Sequence, residues 1–218
     1  WLDPSVAVVP TDILYPPDAS RDAVKQAGAD QFDDSQQRAR IAALREVGEP
    51  VTTRPWVMDV LPGSPAEGVL EHGDVVLRVD GQSVAGPRQM ARVVQQAGPG
   101  ATVELDVRRD GSDRRVDVVA IANPEDPGKG YLGLSLGVLA DSPVTVDFHL
   151  DDVGGPSAGL VFALGIVDKL TPGQLLDGRF VAGTGTMDDT GKVGPIGGIA
   201  QKMAAASSQG AAIFLAPA

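Results

Sequence analysis

The sequence predicts a mixed α/β protein of the α+β kind, in which a β-rich module precedes a second domain of helices and short strands. Three observations predict this class. The 218 residues suffice for two modest domains, and 43% hydrophobic with 22% charged residues is typical of a globular protein. Strand, turn and helix signals alternate quickly in the middle third, and a long apolar segment with glycine-rich flanks dominates the last third.

Charge and cysteine content exclude several classes of partner and chemistry. The net charge is −11, and no run of basic residues interrupts it, so we expect neither nucleic acid nor an anionic lipid surface as a partner. The absence of cysteine excludes disulfides, a thiolate nucleophile and a cysteine metal site. The longest apolar run, residues 160–167, is far shorter than the roughly 20 residues that span a bilayer. We therefore expect soluble domains.

The first segment, residues 1–49, is predicted to form a short strand and a helix. Residues 6–9 are mostly β-branched, and Pro16-Pro17 marks a turn. Apolar residues then recur at helical spacing over residues 35–47, and Gly48 ends that helix. We interpret this element as a weakly amphipathic packing helix.

The middle segment, residues 50–122, is predicted to be β-rich. Ser64-Pro65-Ala66-Glu67 has the pattern of a capping box, which predicts a short helix there. Asp80-Gly81 and Asp110-Gly111 are tight-turn dipeptides, and the second predicts a hairpin. The predicted strands are residues 56–61, 75–79, 102–108 and 115–121, the second helix is residues 87–97, and residues 123–128 form a linker.

Several of these motifs together resemble the PDZ domains attached to bacterial serine proteases. The resemblance rests on residues 63–68, then Leu70-Glu-His-Gly-Asp74, the strand 75–79 and Asp80-Gly81. It implies capture of a substrate peptide by strand addition at an exposed edge beside helix 87–97. The residues expected at that edge are Trp56, Val57, Met58, Asp59 and Val60, with Arg54 as a charge for a terminal carboxylate.

One feature of this module departs from the PDZ pattern. PDZ domains usually place a glycine-containing apolar loop before the edge strand, whereas this chain has Glu49-Pro-Val-Thr-Thr-Arg-Pro55. Capture of a carboxylate is therefore left open. The alternative is a spacer module whose groove is plugged.

A first chemical anomaly lies at Ser157. A strand over residues 144–150 leads to Gly154-Gly155-Pro156, and an almost wholly apolar helix, expected to be buried all round, follows from Pro156 to Val167. Proline suits the first helical position, so Ser157 is expected inside the first turn, among unpaired N–H groups that could stabilise an oxyanion. The structural alternative is an ordinary glycine-rich turn before a core helix.

A second anomaly is Lys202. It lies on or beside an apolar stripe that Ile199, Met203 and Ala206 form at helical spacing. Burial without a local acid favours the neutral amine, which can accept a proton. The alternative is a lysine that keeps its ammonium in water.

The two anomalies together suggest a serine nucleophile with a lysine base, because a serine hydroxyl needs a base to react at neutral pH. Histidine is poorly supplied: His72 falls in the PDZ-like turn, and His149 is the weaker candidate for the base. The pairs Asp151-Asp152 and Asp188-Asp189 could suggest a metal, but they are better interpreted as solvated turns. We therefore predict no metal and no cofactor.

Residues 123–218 resemble the proteolytic domain of the Lon protease family. The resemblance rests on Gly155-Pro-Ser-Ala-Gly159, Thr184-Gly185 and residues 191–202, in that order. It implies a Ser-Lys dyad of Ser157 and Lys202, with Thr184 helping to hold the lysine. Backbone N–H groups of Gly155, Ser157 and Ala158 are expected to bind the oxyanion. Gly154 stands where Lon enzymes commonly have aspartate, so self-inhibition of the resting site is left open.

The combination resembles a bacterial group of ATP-independent, membrane-anchored proteases that face outside the cytoplasm. The 218 residues contain no Gly-x-x-x-x-Gly-Lys-Ser/Thr phosphate loop, and Trp1 is an unusual start. We expect an N-terminal anchor and a C-terminal continuation beyond the sequence, peptide or protein substrates, and no membrane contact except through that anchor. A homo-oligomer is left open. The rival hypothesis is a catalytically inactive binding or scaffold protein built on the PDZ module.

Overall fold

The computed structural model describes residues 20–148, 154–173 and 175–218. It divides the chain into two compact units. One unit is Thr52–Asp141, here called the inserted unit; the other combines residues 1–51 with residues 142–218 and is called the flanking unit. The predicted mixed α/β class with a β-rich module is confirmed. The divisions differ from the predicted segments 1–49, 50–122 and 123–218, because the N-terminal helix shares a unit with the chemistry-bearing last third.

The inserted unit is built on one antiparallel sheet. Its strands are β1 Thr52–Val60, β2 Val75–Val79, β3 Gln82–Ser83, β4 Thr102–Arg109, β5 Ser112–Val119 and β8 Leu134–Asp141; β6 (Ile121–Ala122) and β7 (Gly130–Tyr131) pair separately. The strand order is β5-β4-β2-β1-β8, with β3 paired to β2. Helix α1, described below with the flanking unit, precedes this sheet in the chain. Helix α2 (Pro87–Ala97) has proline in its first turn and buries Met90 and Val94 against the sheet.

Local turn chemistry in the inserted unit is partly as predicted. Asp80-Gly81 and Asp110-Gly111 both have positive φ and close the β2–β3 and β4–β5 hairpins, so both predictions are confirmed. The helix predicted from Ser64 is wrong: residues 62–69 form successive turns. Glu67 there accepts a hydrogen bond from the N–H of Gly63 at 2.8 Å, and does not close the box on Ser64. Gly63 and Gly68, both at positive φ, bracket the segment and interrupt helical geometry.

The predicted linker at residues 123–128 is also wrong. This segment is the loop of a small hairpin between β6 (Ile121–Ala122) and β7 (Gly130–Tyr131). The N–H of Asn123 donates to the Lys129 carbonyl at 2.9 Å, and Lys129 forms an ion pair with Asp126 at 2.8 Å, which lowers the pKa of that carboxyl. The chain then adds β8 to the sheet, so the inserted unit ends at Asp141.

A buried ion pair holds the β2 and β4 ends of this sheet together. The Asp74 side chain is fully buried, and Arg109 donates to both of its carboxylate oxygens, at 2.7 and 2.6 Å. Arg109 also reaches Glu71 at 2.5 Å. The hydrogen bonds to Asp74 raise the pKa of Arg109, so the guanidinium stays charged at every accessible pH.

We expect Arg109→Met to lower the free energy of unfolding by about 3 kcal/mol, because it leaves the Asp74 carboxylate buried without its cation. Arg115→Met is the matched control: Arg115 also bridges an aspartate on a paired strand, Asp106 at 2.8 Å, but its side chain is 62% exposed. Loss of that exposed, solvent-screened pair should change stability far less than loss of the buried pair. Urea unfolding followed by circular dichroism measures both; equal small losses would contradict the prediction.

The flanking unit is mainly helical over its described residues. Its helices are α1 Arg21–Glu46, α3 Gly159–Leu170 and α4 Ile199–Ser208. Its strands are β9 Val181–Gly183, β10 Thr186–Met187, β11 Val193–Gly194 and β12 Ile213–Leu215. The strands pair as a parallel β9–β12 ladder and a β10–β11 hairpin. The predicted strand at residues 6–9 and the turn at Pro16-Pro17 lie outside the described residues.

Helices α1 and α3 pack on each other through small side chains. Ala39 and Ala43 of α1 share a buried cluster with Ala163 and Ile166 of α3 and with Met187. Helix α1 begins at Arg21, well before the predicted start at residue 35, and the Ser20 side chain caps its N-terminus. The prediction missed the first half of the helix because that half is polar and lacks a clear apolar periodicity.

Helix α3 starts later than predicted and is not buried all round. It begins at Gly159 instead of Pro156, and Val161 and Leu170 on it are exposed. Among the residues that the structure describes, no helix has both the length and the apolar character needed to cross a membrane.

Candidate active site

Three separate segments of the flanking unit bring Ser157, Thr184 and Lys202 into contact. Lys202 Nζ lies 3.0 Å from Ser157 Oγ and 3.2 Å from Thr184 Oγ1. Thr184 is buried at 3% exposure, whereas Ser157 and Lys202 are half-buried. The three residues that the resemblance singled out therefore form one polar cluster, open to solvent on the side of the serine and the lysine.

Ser157 is held by backbone hydrogen bonds to the segment that follows β9. Its carbonyl accepts from the N–H of Gly185 at 2.8 Å, and the Gly185 carbonyl accepts from the N–H of Leu160 at 3.1 Å. A side chain at position 185 would meet Val193 at 2.8 Å, so only glycine allows this approach. Ser157 itself precedes Ala158, the N-cap of α3, and so lies before the first turn and not inside it as predicted.

Thr184 orients the amine of Lys202. Its backbone N–H donates to the Leu215 carbonyl at 2.8 Å, which continues the β9–β12 ladder and fixes its position. Its hydroxyl donates to the Ser157 carbonyl at 3.0 Å. Since a hydroxyl has only one hydrogen, the Thr184 oxygen can only accept from Lys202. One N–H of the amine is thereby directed to Thr184, and a neutral amine can turn its lone pair toward Ser157 Oγ.

The predicted oxyanion donors divide into two groups. The N–H of Gly155 donates to the Gly28 carbonyl of α1 at 3.0 Å, so the expectation for Gly155 is wrong. The N–H groups of Ser157 and Ala158 donate to no backbone carbonyl within residues 20–148, 154–173 and 175–218. Two unpaired donors beside a hydroxyl are the arrangement that stabilises negative charge on a carbonyl oxygen.

The surroundings of Lys202 differ from the expected apolar stripe. Ile199 and Met203, predicted to enclose the amine, are 40% and 53% exposed, and only Ala206 of the stripe is buried. Gly198, the N-cap of α4, is in the left-handed region, and Lys202 in the first turn of the helix reaches Ser157 and Thr184. The amine is therefore positioned by hydrogen bonds to two hydroxyls.

The other candidates for a base or a metal ligand are the two histidines and the two aspartate pairs. His72 lies in the inserted unit, where its ring packs edge-on against Trp56 with a centroid distance of 5.6 Å. His149, Asp151 and Asp152 lie outside the described residues. Asp188 accepts hydrogen bonds from the N–H groups of Thr190 and Lys192 at 2.9 and 3.0 Å, as expected for a turn.

The peptide edge predicted for the PDZ-like module is not an edge. Strand β1, which carries Trp56, Val57, Met58, Asp59 and Val60, is paired on both sides, with β2 and with β8. An apolar groove lies instead between α2 and residues 130–136, with a volume of about 150 Å³. Met90, Val94, Leu132, Leu134 and Leu136 line it.

The sequence carries a signal for this groove beyond the predicted end of the PDZ-like module. Tyr131-Leu-Gly-Leu134 is a glycine-containing apolar loop directly before β8, which is the pattern sought at residues 49–55. Gly133 has positive φ, and a side chain there would collide with Ser64 at 2.2 Å. The loop was missed because it lies beyond the predicted end of the module at residue 122.

Arg54 belongs to a different surface of the inserted unit. It lines an open cavity of about 560 Å³ over the sheet. The other charged residues around it are Arg78, Arg108, Arg114, Arg115, Asp106, Asp113 and Asp141. Sheet pairing thus gathers a local basic cluster that the linear sequence did not reveal, and Arg54 does not line the peptide groove as predicted.

Comparison with known families identifies both parts of the chain. Residues 31–119 match the family described as PDZ domain, and residues 151–218 match the Lon protease (S16) C-terminal proteolytic domain. The chain therefore combines a PDZ domain with a Lon-type proteolytic domain, as the sequence motifs predict.

Individual relatives share only part of their length with this chain. A probable periplasmic serine endoprotease DegP-like of Marinomonas sp. is 39% identical over 69 residues, and the magnetosome formation protease MamE of Paramagnetospirillum magneticum is 31% identical over 111 residues. These alignments cover 31% and 50% of this chain but only 15% and 14% of the relatives. The PDZ domain of an SdrC-like protein from Listeria innocua is 21% identical, with a TM-score of 0.35, over 38% of this chain and 92% of that one.

Proposed function

We propose that this chain is a serine endopeptidase that uses Ser157 as nucleophile and Lys202 as general base, without ATP. The observation that carries the proposal is the 3.0 Å contact between Lys202 Nζ and Ser157 Oγ, with Thr184 bonded to both residues. The names of the relatives, which include serine endoproteases, support the same class of reaction.

The reaction follows from the geometry of the cluster. Neutral Lys202 accepts the Ser157 hydroxyl proton as Oγ forms a bond to the substrate carbonyl carbon. The carbonyl oxygen takes up the negative charge beside the N–H groups of Ser157 and Ala158. The lysine then gives its proton to the leaving amine as the C–N bond breaks, and a water molecule hydrolyses the resulting ester by the same proton transfers in reverse.

The PDZ groove supplies the second part of the proposed function. Its walls are apolar and it lies between a helix and residues at the start of β8, which suits an extended peptide segment with apolar side chains. We assign it the recruitment of peptide or protein substrates to the peptidase. Relatives with periplasmic in their names, together with the family resemblance, support a location on the extracytoplasmic face of a cell membrane.

Excision of the inserted unit tests this division of labour. Thr52 and Asp141 are paired residues of β1 and β8, so a short Gly-Ser linker can replace residues 52–141. The shortened chain should cleave short peptides at a rate within a few-fold of the intact chain and cleave unfolded proteins roughly tenfold more slowly, because only proteins gain from docking. Both rates are measured without nucleotide and again with ATP, which should change neither.

Leu136→Glu in the intact chain is the matched variant for this experiment, since it blocks the groove without removing the unit. It should reproduce the selective loss for protein substrates. Equal loss for peptides and proteins after excision would show that the inserted unit is a structural support. Cleavage that requires ATP would contradict the ATP-independent reaction.

A further inference from the structure

Helix α1 holds two of the three peptide groups between Gly154 and Ser157 by hydrogen bonds. The Ser35 hydroxyl donates to the Pro156 carbonyl at 3.0 Å, across 121 positions of sequence. Nearer the N-terminus of α1, the Gly28 carbonyl accepts from the N–H of Gly155 at 3.0 Å. Ser35 and Gly28 both lie outside the range 151–218 that matches the Lon proteolytic domain.

Ser35 is a polar residue in an apolar interface. Its exposure is 2%, and on the same helix Ala39 and Ala43 are buried in the cluster shared with α3. A buried hydroxyl is tolerated when it is hydrogen-bonded, and the partner here is the Pro156 carbonyl. The interface is also close: a side chain added at Gly159 would lie 3.1 Å from both Ser35 Oγ and Met187. The turn therefore has little freedom to move relative to α1.

The hydrogen bond from Ser35 fixes the direction of the Ser157 N–H as well as that of the Pro156 carbonyl. The Pro156 carbonyl and the Ser157 N–H belong to one planar trans peptide group, so they point in opposite directions. Anchoring the carbonyl on α1 directs the Ser157 N–H away from α1. Among the described residues, that N–H and the N–H of Ala158, the two remaining predicted oxyanion donors, donate to no backbone carbonyl.

We propose that Ser35 is a positioning residue for the peptidase reaction, because it orients the Ser157 N–H as an oxyanion donor through the Pro156–Ser157 peptide group. The inference rests on the proposed function. It also means that the proposed site is completed by helix α1, which precedes the inserted unit in the chain. Residues 123–218 alone lack that helix.

Ser35→Ala in the full chain tests the inference. Loss of an oxyanion donor lowers kcat by 10²–10³-fold in well-studied hydrolases, and loosening a donor that is still present should lower it less, by about tenfold. KM should stay within about twofold, and the shape of the pH–rate profile should not change, because Ser35 contacts neither Lys202 nor Thr184. Labelling of Ser157 by a fluorophosphonate should slow in proportion to kcat.

Ala39→Gly is the matched control. It loosens the same helix at the same interface but makes no hydrogen bond to the turn, so it should lower the thermal midpoint while leaving kcat near that of the unchanged chain. Ser35→Cys is the second variant, because it keeps the unbranched shape of serine and replaces the hydroxyl by an S–H group, which is a weaker donor. Its kcat should lie between those of Ser35→Ala and the unchanged chain.

The outcomes separate this inference from the proposed function. An unchanged kcat for Ser35→Ala or Ser35→Cys, in a chain that cleaves peptides, overturns the positioning role alone. The positioning role is also overturned if Ala39→Gly has the same thermal midpoint as Ser35→Ala and lowers kcat by as much, because general loosening of the interface would then explain the loss. A parent chain that neither cleaves peptides nor reacts with the fluorophosphonate overturns the proposed function.

Discussion

Replacement of Ser157 by alanine should reduce peptide hydrolysis by roughly 10⁴-fold or more, to the level of the uncatalysed reaction in most assays. The variant removes the hydroxyl that lies 3.0 Å from Lys202 Nζ and that the proposed reaction uses as its nucleophile. The fold should be preserved, because the bonds that hold position 157 use its backbone carbonyl, to Gly185 and to Thr184. The thermal midpoint should therefore change little.

The measurement is hydrolysis of a fluorogenic peptide, together with mass-spectrometric mapping of a fluorophosphonate adduct. The adduct should lie on Ser157 and be absent from the alanine variant. Ser208→Ala is the control, since the exposed Ser208 hydroxyl bonds only the carbonyl one turn before it. Hydrolysis by Ser157→Ala at a rate near that of the unchanged chain would contradict the assignment and favour the binding-protein hypothesis.

Local signals in the sequence predicted local structure well. Asp110-Gly111 needs only its two neighbours to form a tight turn, and the structure has a hairpin there. Likewise, Gly155 before Pro156-Ser157 has positive φ, whereas a side chain at Gly159 or Gly185 would lie within 3.1 Å of a neighbour. Both patterns depend on backbone conformations that glycine adopts readily, so they are visible in sequence without knowledge of the fold.

Long-range pairing limited the prediction elsewhere. Residues 56–60 were predicted to form an exposed edge because the strand that covers them, β8, lies some 80 residues later and beyond the predicted linker. The basic cluster around Arg54 arises in the same way, from strands that are distant in sequence. In each case the residue's environment depends on a strand that is distant in sequence and adjacent only in the folded sheet.

The predicted site is incomplete for the same reason. A single serine on a polar helix gives no signal of catalysis, and Ser35 became visible only through its hydrogen bond to Pro156. The assignment of Gly155 as an oxyanion donor was wrong because the sequence could not show that Gly28 already accepts from that N–H. The motifs predicted the proposed nucleophile and base, whereas the contact of Ser35 with Pro156 became visible only in the packing of α1.

Replacement of Lys202 by arginine should abolish hydrolysis although it preserves the positive charge. Arginine cannot be deprotonated in proteins, so it can donate to Ser157 Oγ but cannot accept the proton of that hydroxyl. The expected loss is again roughly 10⁴-fold, because a nucleophile and its base act as one unit. Lys192→Arg is the control: Lys192 is exposed on the β10–β11 turn, and the change should leave the rate unaltered.

The pH–rate profile and Thr184→Val complete the test of the base. Because only the neutral amine accepts a proton, kcat/KM of the unchanged chain should rise with increasing pH, and Lys202→Arg should show no such rise. Thr184→Val keeps the amine but removes the hydroxyl 3.2 Å from it, so we expect a loss of about 10- to 100-fold with the pH dependence retained. If Lys202→Arg keeps most of the activity, Lys202 is not the base, and His149 becomes the residue to replace next.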